Sequence, residues 1–538
     1  MLAISHAGAG APDDVCLLVE GTYPYVSGGV SAWVHDIIKG HPELRFSVFN
    51  IGSTVGAYGP PSYALPDNVT RLHQTYCSEL ETTPLTGAAR ARLDGEIRAF
   101  RRGGRSRRPL SRVLGAIRRL SLETGGGDDR LLEDLACGDL SVGEFLHGRE
   151  TFDLLAEIAE KVAPQASFLD LFWHLRAIYV PILRLLPAAA PPARCYHTVS
   201  TGYAGLCGAA FSLRTGRPLI VTEHGIYSRE RNMDLARASW IKDQPDAADT
   251  ILVGAKPSPL RNLWSRSFRA LSQLAYRRAS RIVTLSDVNR ARQIADGALA
   301  SKISIVPNGV DAPPSDGAGG ARGLPAPQGT AGAAGSAGLE RRQGWDERKA
   351  LRVGFVGRVV PIKDVISFIQ ACNLAMDDVA LDVRIIGPTG EDPAYARRCL
   401  TLVETLGLAS SVVFTGPQPL HLIYSDLDVV VLTSFSEGQP LVILEAYAAG
   451  LPVIATDVGA CREMIEGRSA PDRLLGRSGV VTRVGTASET AAALVRLARD
   501  PALCRRLGMA GRKRVLGFYR RQDMLESYRG IYRDMVSQ

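Results

Sequence analysis

Two glutamates stand eight residues apart in the run Ser436-Glu437-Gly438-Gln439-Pro440-Leu441-Val442-Ile443-Leu444-Glu445. An ionised carboxylate accepts hydrogen bonds from hydroxyls and donates none. Eight residues of helix span about 12 Å. Carboxylates so spaced hold separate parts of one ligand, a sugar at one end and a ribose at the other. Gly438 and Pro440 mark a turn and a helix start, and Gly450 closes the helix. Free N–H groups around Gly438 suit an anionic or hydroxyl-rich ligand. Without these surroundings the pair is one surface glutamate and one ordinary helix carboxylate.

Arg358 and Lys363 stand in Gly357-Arg358-Val359-Val360-Pro361-Ile362-Lys363-Asp364. A guanidinium forms forked hydrogen bonds and an ammonium is a point charge, so together they can grip a diphosphate from two sides. The plainer alternative is a solvent-facing loop, where both residue types are common. Gly28 and Gly29, in Tyr25-Val26-Ser27-Gly28-Gly29-Val30, allow close backbone approach to a phosphate or sugar. His224, in Thr222-Glu223-His224-Gly225, ends a buried strand. It either hydrogen-bonds a sugar hydroxyl or caps its own loop.

These residues need strands to aim them. Apolar runs at 15–19, 45–51, 194–199, 219–223, 281–285 and 303–306 read as buried strands separated by helical patterns. The rhythm restarts at 353–356, 382–386, 412–415, 429–433, 453–456 and 480–482. Strands alternating with helices imply a parallel sheet covered on both faces, with ligands beyond the carboxyl ends of its strands. The fold class is therefore α/β, with two Rossmann-like doubly wound domains facing across a cleft. Residues 1–311 form the first, acceptor-side domain, with a helical insertion at about 80–190. Residues 312–350 are a Gly/Ala/Pro-rich linker, and 351–538 form the second domain, whose last helix packs back on the first.

The insertion carries an arginine-rich stretch from Arg90 to Arg119. It is either a solvated helical face or a dock for anionic lipid or an acidic partner. Net charge is +8 over 538 residues, and 46 % of residues are hydrophobic. That balance is ordinary for a globular protein handling phosphates, and no nucleic-acid-binding signature accompanies it. Nine scattered cysteines with no C-x-x-C pair imply a reducing compartment. The first residues lack the pattern of a secretory signal, and the apolar run 169–192 is too interrupted to span a bilayer. The expected location is the cytoplasm, with recruitment to the inner face of the membrane.

The string from Glu437 to Glu445 resembles the E-x7-E motif of retaining glycosyltransferases of the GT-B fold, family 4. The strings at 20–35 and 357–364 resemble its Pel exopolysaccharide branch. The resemblance implies that Glu437 contacts the donor sugar and Glu445 the nucleotide ribose, with Gly438 and Leu441 beside them. It further implies that Arg358 and Lys363 neutralise the donor phosphates without a metal or other cofactor. Gly28 and Gly29 then touch the donor phosphate and acceptor, and His224 lies near the reacting carbon. The activity implied is transfer of a hexose or N-acetylhexosamine from a UDP-sugar to a growing polysaccharide, beside an inner-membrane export complex. A nucleotide-sugar epimerase and a nucleotide-sugar-binding scaffold are the alternatives.

Overall fold

A computed structural model describes residues 11–77, 111–123, 128–238, 240–241, 258–311 and 350–537. The linker at 312–344, the arginines from 90 to 108 and the first ten residues lie outside the described residues. The chain divides into two compact units. One comprises Met1–Thr284, Arg290–Ile305 and Tyr528–Gln538; the other comprises Leu285–Asn289 and Val306–Ser527.

The first unit holds a seven-stranded parallel sheet in the order β3-β2-β1-β4-β5-β6-β7. Its strands are β1 (Asp13–Glu20), β2 (Phe46–Gly52), β3 (Val69–Tyr76), β4 (Ala193–Thr198), β5 (Leu219–Glu223), β6 (Arg281–Thr284) and β7 (Ile303–Ile305). Every residue of β2 is buried, as expected of a strand covered on both faces. β3 escapes sequence reading. Its segment VTRLHQTY has no apolar face and every residue keeps some exposure, because it is an edge strand held by backbone pairing to β2.

Between β3 and β4 the described chain forms the helices Arg112–Leu122, Asp129–Ala136, Val142–His147, Arg149–Val162 and Phe168–Leu185. Their apolar stripes, including Ile117, Leu155, Ile158 and Leu175, join Leu18 and Phe49 of the sheet in one core. The described arginines of the rich stretch serve this packing. Arg118 makes a forked pair with Glu157, and Arg112 and Arg119 both bind Asp134. All three stay partly exposed while held in these pairs. Among the described residues no helix is long and apolar enough to cross a membrane.

Tyr528 and Tyr532, near the chain's end, belong to the first unit. The Tyr532 hydroxyl lies 2.7 Å from His197 Nδ1, and that of Tyr528 lies 2.9 Å from Thr222 Oγ1. Thr222 Oγ1 in turn lies 2.8 Å from His197 Nε2. All four side chains are buried, so this network satisfies polar groups that water cannot reach.

The second unit holds a six-stranded parallel sheet in the order β10-β9-β8-β11-β12-β13. Its strands are β8 (Leu351–Val356), β9 (Leu381–Ile386), β10 (Val412–Gly416), β11 (Val429–Leu432), β12 (Val453–Thr456) and β13 (Gly479–Thr482). All six fall where apolar runs place them. Residues 306–311 pack with this unit and not with the first, because Val310 N–H donates to Tyr519 O at 3.0 Å. Gly309 serves close packing there: a Cβ on it would lie 2.4 Å from Arg520 backbone. Arg514, wholly buried, meets Asp472 at 2.5 Å and donates to the carbonyls of Ile465 and Gly476.

Candidate functional site

In the second unit β8 and β11 are neighbours, while β9 extends the sheet one way and β12 the other. Open α/β sheets bind ligands beyond the strands' carboxyl ends at such a reversal. Both sequence motifs emerge there, at 357–364 after β8 and 433–440 after β11. Their loops are stitched together. Phe435 N–H donates to Ile362 O at 2.9 Å, and Thr433 Oγ1 donates to the carbonyls of Lys363 and Asp364.

Asp364 has φ 48°, a left-handed conformation uncommon for any residue with a Cβ. Its carboxylate accepts Ser367 N–H and caps the helix Val365–Met376. The chain therefore turns directly after Lys363. Lys363 Nζ donates to Glu437 Oε1 at 2.6 Å, and Ser434 Oγ donates to the same oxygen at 2.6 Å. Glu437 is only 10 % exposed and Lys363 22 %, so this ion pair is partly desolvated.

The loop after β12 supports Glu437 from below. Gly459 has φ 52°, and a Cβ there would lie 2.0 Å from Glu437 O. Ala460 N–H donates to Gly438 O at 2.8 Å. The helix Leu441–Ala448 follows, with Pro440 as its N-cap residue and not within its first turn. Proline offers no side-chain acceptor, so that helix start carries no side-chain cap.

Glu437 and Glu445 have different partners. Glu445 Oε2 accepts the Tyr424 hydroxyl at 2.5 Å, and burial pushes the Glu445 carboxyl up. Arg358 has a different partner from Lys363. Its Nη1 donates to both oxygens of Glu391 at 2.6 Å, and both side chains are about half exposed. Lys363 and Glu437 are thus brought together, whereas each of the two cations is held by its own carboxylate. The string Asp426-Leu427-Asp428 has the D-x-D spacing seen in metal-holding motifs, but it precedes β11 and both carboxylates pair with Arg352.

In the first unit Gly28 and Gly29 are exposed, and Gly28 is the extended residue that precedes the helix Gly29–Gly40. His224 follows β5. Its Nε2 is buried without a hydrogen-bond partner, and its ring meets the Trp33 ring edge-on at 4.7 Å. Burial pushes the imidazole down to about 4, so it is neutral near pH 7. The preceding Glu223 is a buried hub. It accepts Thr201 Oγ1, Gln293 Nε2 and Tyr227 N–H, each at 2.9 Å, and the Tyr276 hydroxyl at 2.5 Å.

Sequence reasoning missed Ser434, Gly459, Tyr424, Glu391 and the hub role of Glu223. Gly459 carried a usable signal, a glycine just after a buried strand, as at Gly357. The others are set by tertiary contact.

Residues 13–301, more than half the chain, match the family described as Domain of unknown function (DUF3492). The chain belongs to that family. Residues 350–500 of this DUF3492 chain match the family described as Glycosyl transferases group 1. A D-inositol 3-phosphate glycosyltransferase of Nocardia farcinica is 34 % identical over 186 residues, 33 % of this chain. The matched part is 40 % of that relative's own length. A protein of the same description from Acidothermus cellulolyticus is 27 % identical over 381 residues, covering 68 % of this chain and 72 % of that protein. Among solved structures, Anabaena Alr3699/HepE in complex with UDP and glucose aligns with a TM-score of 0.54 at 15 % identity, covering 97 % of this chain and 99 % of that one. At that identity the likeness is one of fold, the two-Rossmann-unit GT-B class.

Proposed function

We propose that the chain is a retaining glycosyltransferase that moves a hexose or N-acetylhexosamine from a UDP-sugar to a glycan, with a growing Pel-like exopolysaccharide as the acceptor. The observation that carries this reading is the Lys363–Glu437 pair at the β8/β11 reversal, beside a helix start with no side-chain cap. A cation next to open N–H groups suits a diphosphate, and a carboxylate beside it suits a sugar's hydroxyls. The match of 350–500 to group 1 glycosyl transferases supports the same reading. UDP as the nucleotide follows HepE, solved with UDP and glucose.

In this scheme the bond between the anomeric carbon and the diphosphate oxygen breaks. Arg358, Lys363 and the N–H groups around Gly438 stabilise the charge that develops on the departing phosphate, so two side-chain cations supply the countercharge without a metal. The acceptor oxygen bonds to the same face of that carbon, and its proton passes to the leaving phosphate. The products are UDP and a lengthened glycan. Glu437 and His224 act on sugar hydroxyls, and Glu445 with Leu441 holds the nucleoside. Neutral His224 is suited to that task because an uncharged imidazole has one donor and one acceptor nitrogen for a hydroxyl.

The test is incubation of the purified full-length chain with UDP-glucose, UDP-galactose and their N-acetylhexosamine counterparts plus glycan acceptors, following UDP release and product mass. UDP with a lengthened glycan is the expected result. An isomerised donor would identify an epimerase. Donor binding without turnover would identify a scaffold.

A further inference from the structure

Among the described residues, neither ring nitrogen of His224 takes a hydrogen bond, and Nε2 is buried. The side chain as a whole keeps some exposure. Nothing polar therefore fixes the rotation of the ring, and the outer torsion of a histidine has broad wells. Packing must fix it instead. The Trp33 indole is the ring in place to do so, edge-on to the imidazole with centroids 4.7 Å apart and planes at 75°.

Trp33 is itself firmly held. It lies on the helix Gly29–Gly40, buried on the same side as Val34 and Ile37. Its ring also meets Tyr528 and His197 edge-on, at 5.2 and 5.9 Å. Those two rings are pinned in turn by Thr222 and Tyr532. Trp33 Nε1 is buried without a partner, so no hydrogen bond of its own turns the indole. Two polar edges left unpaired in one buried contact cost stability, and the contact is kept nonetheless.

The charged and titratable neighbours of His224 are few. On β5, the Glu223 carboxylate is taken up by Thr201, Gln293, Tyr227 N–H and the Tyr276 hydroxyl. On the helix Tyr227–Arg237, Glu230 presses on Gly225, where a Cβ would overlap its carboxylate. On β4, burial keeps His197 neutral near pH 7. On the helix Gly29–Gly40, His35 Nδ1 lies 3.2 Å from the Tyr23 hydroxyl. The final helix Arg521–Val536 brings the Tyr528 ring, whose hydroxyl is held by Thr222. Burial alone holds the His224 imidazole down. A neighbour that keeps water off the ring therefore also keeps it uncharged.

We propose that Trp33 is a positioning residue for His224: its indole edge sets the rotation of the imidazole and keeps water from Nε2, leaving Nδ1 to meet a sugar hydroxyl. What the ring meets rests on the glycosyl-transfer reading above; how the ring is held does not.

The test is NMR of the full-length chain labelled with ¹³C and ¹⁵N at its nine histidines, with His224→Gln assigning the signal. Wild type, Trp33→Leu and Trp33→Phe are compared. UDP release from UDP-glucose, UDP-galactose and their N-acetylhexosamine counterparts, with glycan acceptors, is followed in parallel. Wild-type His224 should stay neutral and in one tautomer from about pH 8 down to about pH 5. Trp33→Leu removes the aromatic edge, so the midpoint should rise by about one pH unit or more and the tautomers should mix. Its kcat should fall about tenfold with KM for the UDP-sugar held within about twofold. Trp33→Phe keeps an aromatic edge and should stay close to wild type in both readouts. Trp33→Met replaces Trp33→Leu if melting curves show that variant unfolded. A wild-type midpoint near 6.5, an unmoved midpoint or unchanged kcat in Trp33→Leu, or an equal loss in Trp33→Phe would overturn the proposal. No UDP release by the wild type, with the midpoint moving as stated, would instead sink the transfer reading and leave the positioning standing.

Discussion

The two sheets reverse order in the same way, and at each reversal one helix start is held by a carboxylate and one has no side-chain cap. In the first unit Glu20 holds the start of Tyr203–Thr215, while Gly29–Gly40 starts with no side-chain cap. In the second the helix Leu441–Ala448 starts with no side-chain cap, and the nearby carboxylate, Glu437, is spent on Lys363. What differs is the neighbour of the open start: in the second unit it is the Lys363–Glu437 pair, and in the first it is the exposed Gly28 and Gly29. Sheet order fixes where a ligand can sit, and a few side chains decide its charge.

Four changes would break or sharpen this contrast. Arg514→Met should be the costliest to the second unit, because it leaves Asp472 buried and unpaired. A loss of about 3–5 kcal/mol in chemical denaturation is expected. A loss below about 1 kcal/mol would show that the second unit does not lean on that pair. Lys363→Met should leave the fold intact and lower turnover by about 10²–10³-fold, or about 3–4 kcal/mol. Unchanged turnover would remove the cation from the contrast.

The third change concerns the first unit, whose buried His197 is pushed down to about 3 by burial. Its ordinary value is 6.5, so between those values the unfolded chain binds a proton that the folded chain refuses. Stability should fall as pH drops below 6.5, by up to about 1.4 kcal/mol per pH unit from this residue. Denaturation midpoints across that range should flatten in His197→Gln. An unaltered slope would assign the acid sensitivity elsewhere. The smallest effect is expected from Glu391→Gln. Freeing half-exposed Arg358 should tighten UDP binding by less than about 1 kcal/mol, and weaker binding would mean that Glu391 helps to position that cation.

Much of this was legible in the residues. The strands of the second unit are short apolar runs between helical patterns, and burial on both faces makes such runs readable. β3 was not, because an edge strand such as Val69–Tyr76 is held by backbone pairing and leaves no apolar trace. Glu437, Lys363 and Glu445 were readable from spacing after strands. Their partners were not. Ser434, Tyr424 and Glu391 are ordinary residues until the loops are folded, and Asp364 gives no sign of its left-handed turn. The string at 20–35 carried a likeness, yet the use of Glu20 depends on Gly202, 182 residues away in the chain.

The return of Tyr528 and Tyr532 to His197 and Thr222 bears on how the molecule is made. A ribosome makes both sheets before it adds the tyrosines that the first Rossmann unit needs. Until then, two polar side chains of that unit's interior stay without their hydroxyl partners. A stop codon just before Tyr528 would thus injure the first unit rather than the second. A first unit cut off at the Gly/Ala/Pro-rich stretch should melt low, unless a peptide of the helix Arg521–Val536 were added back.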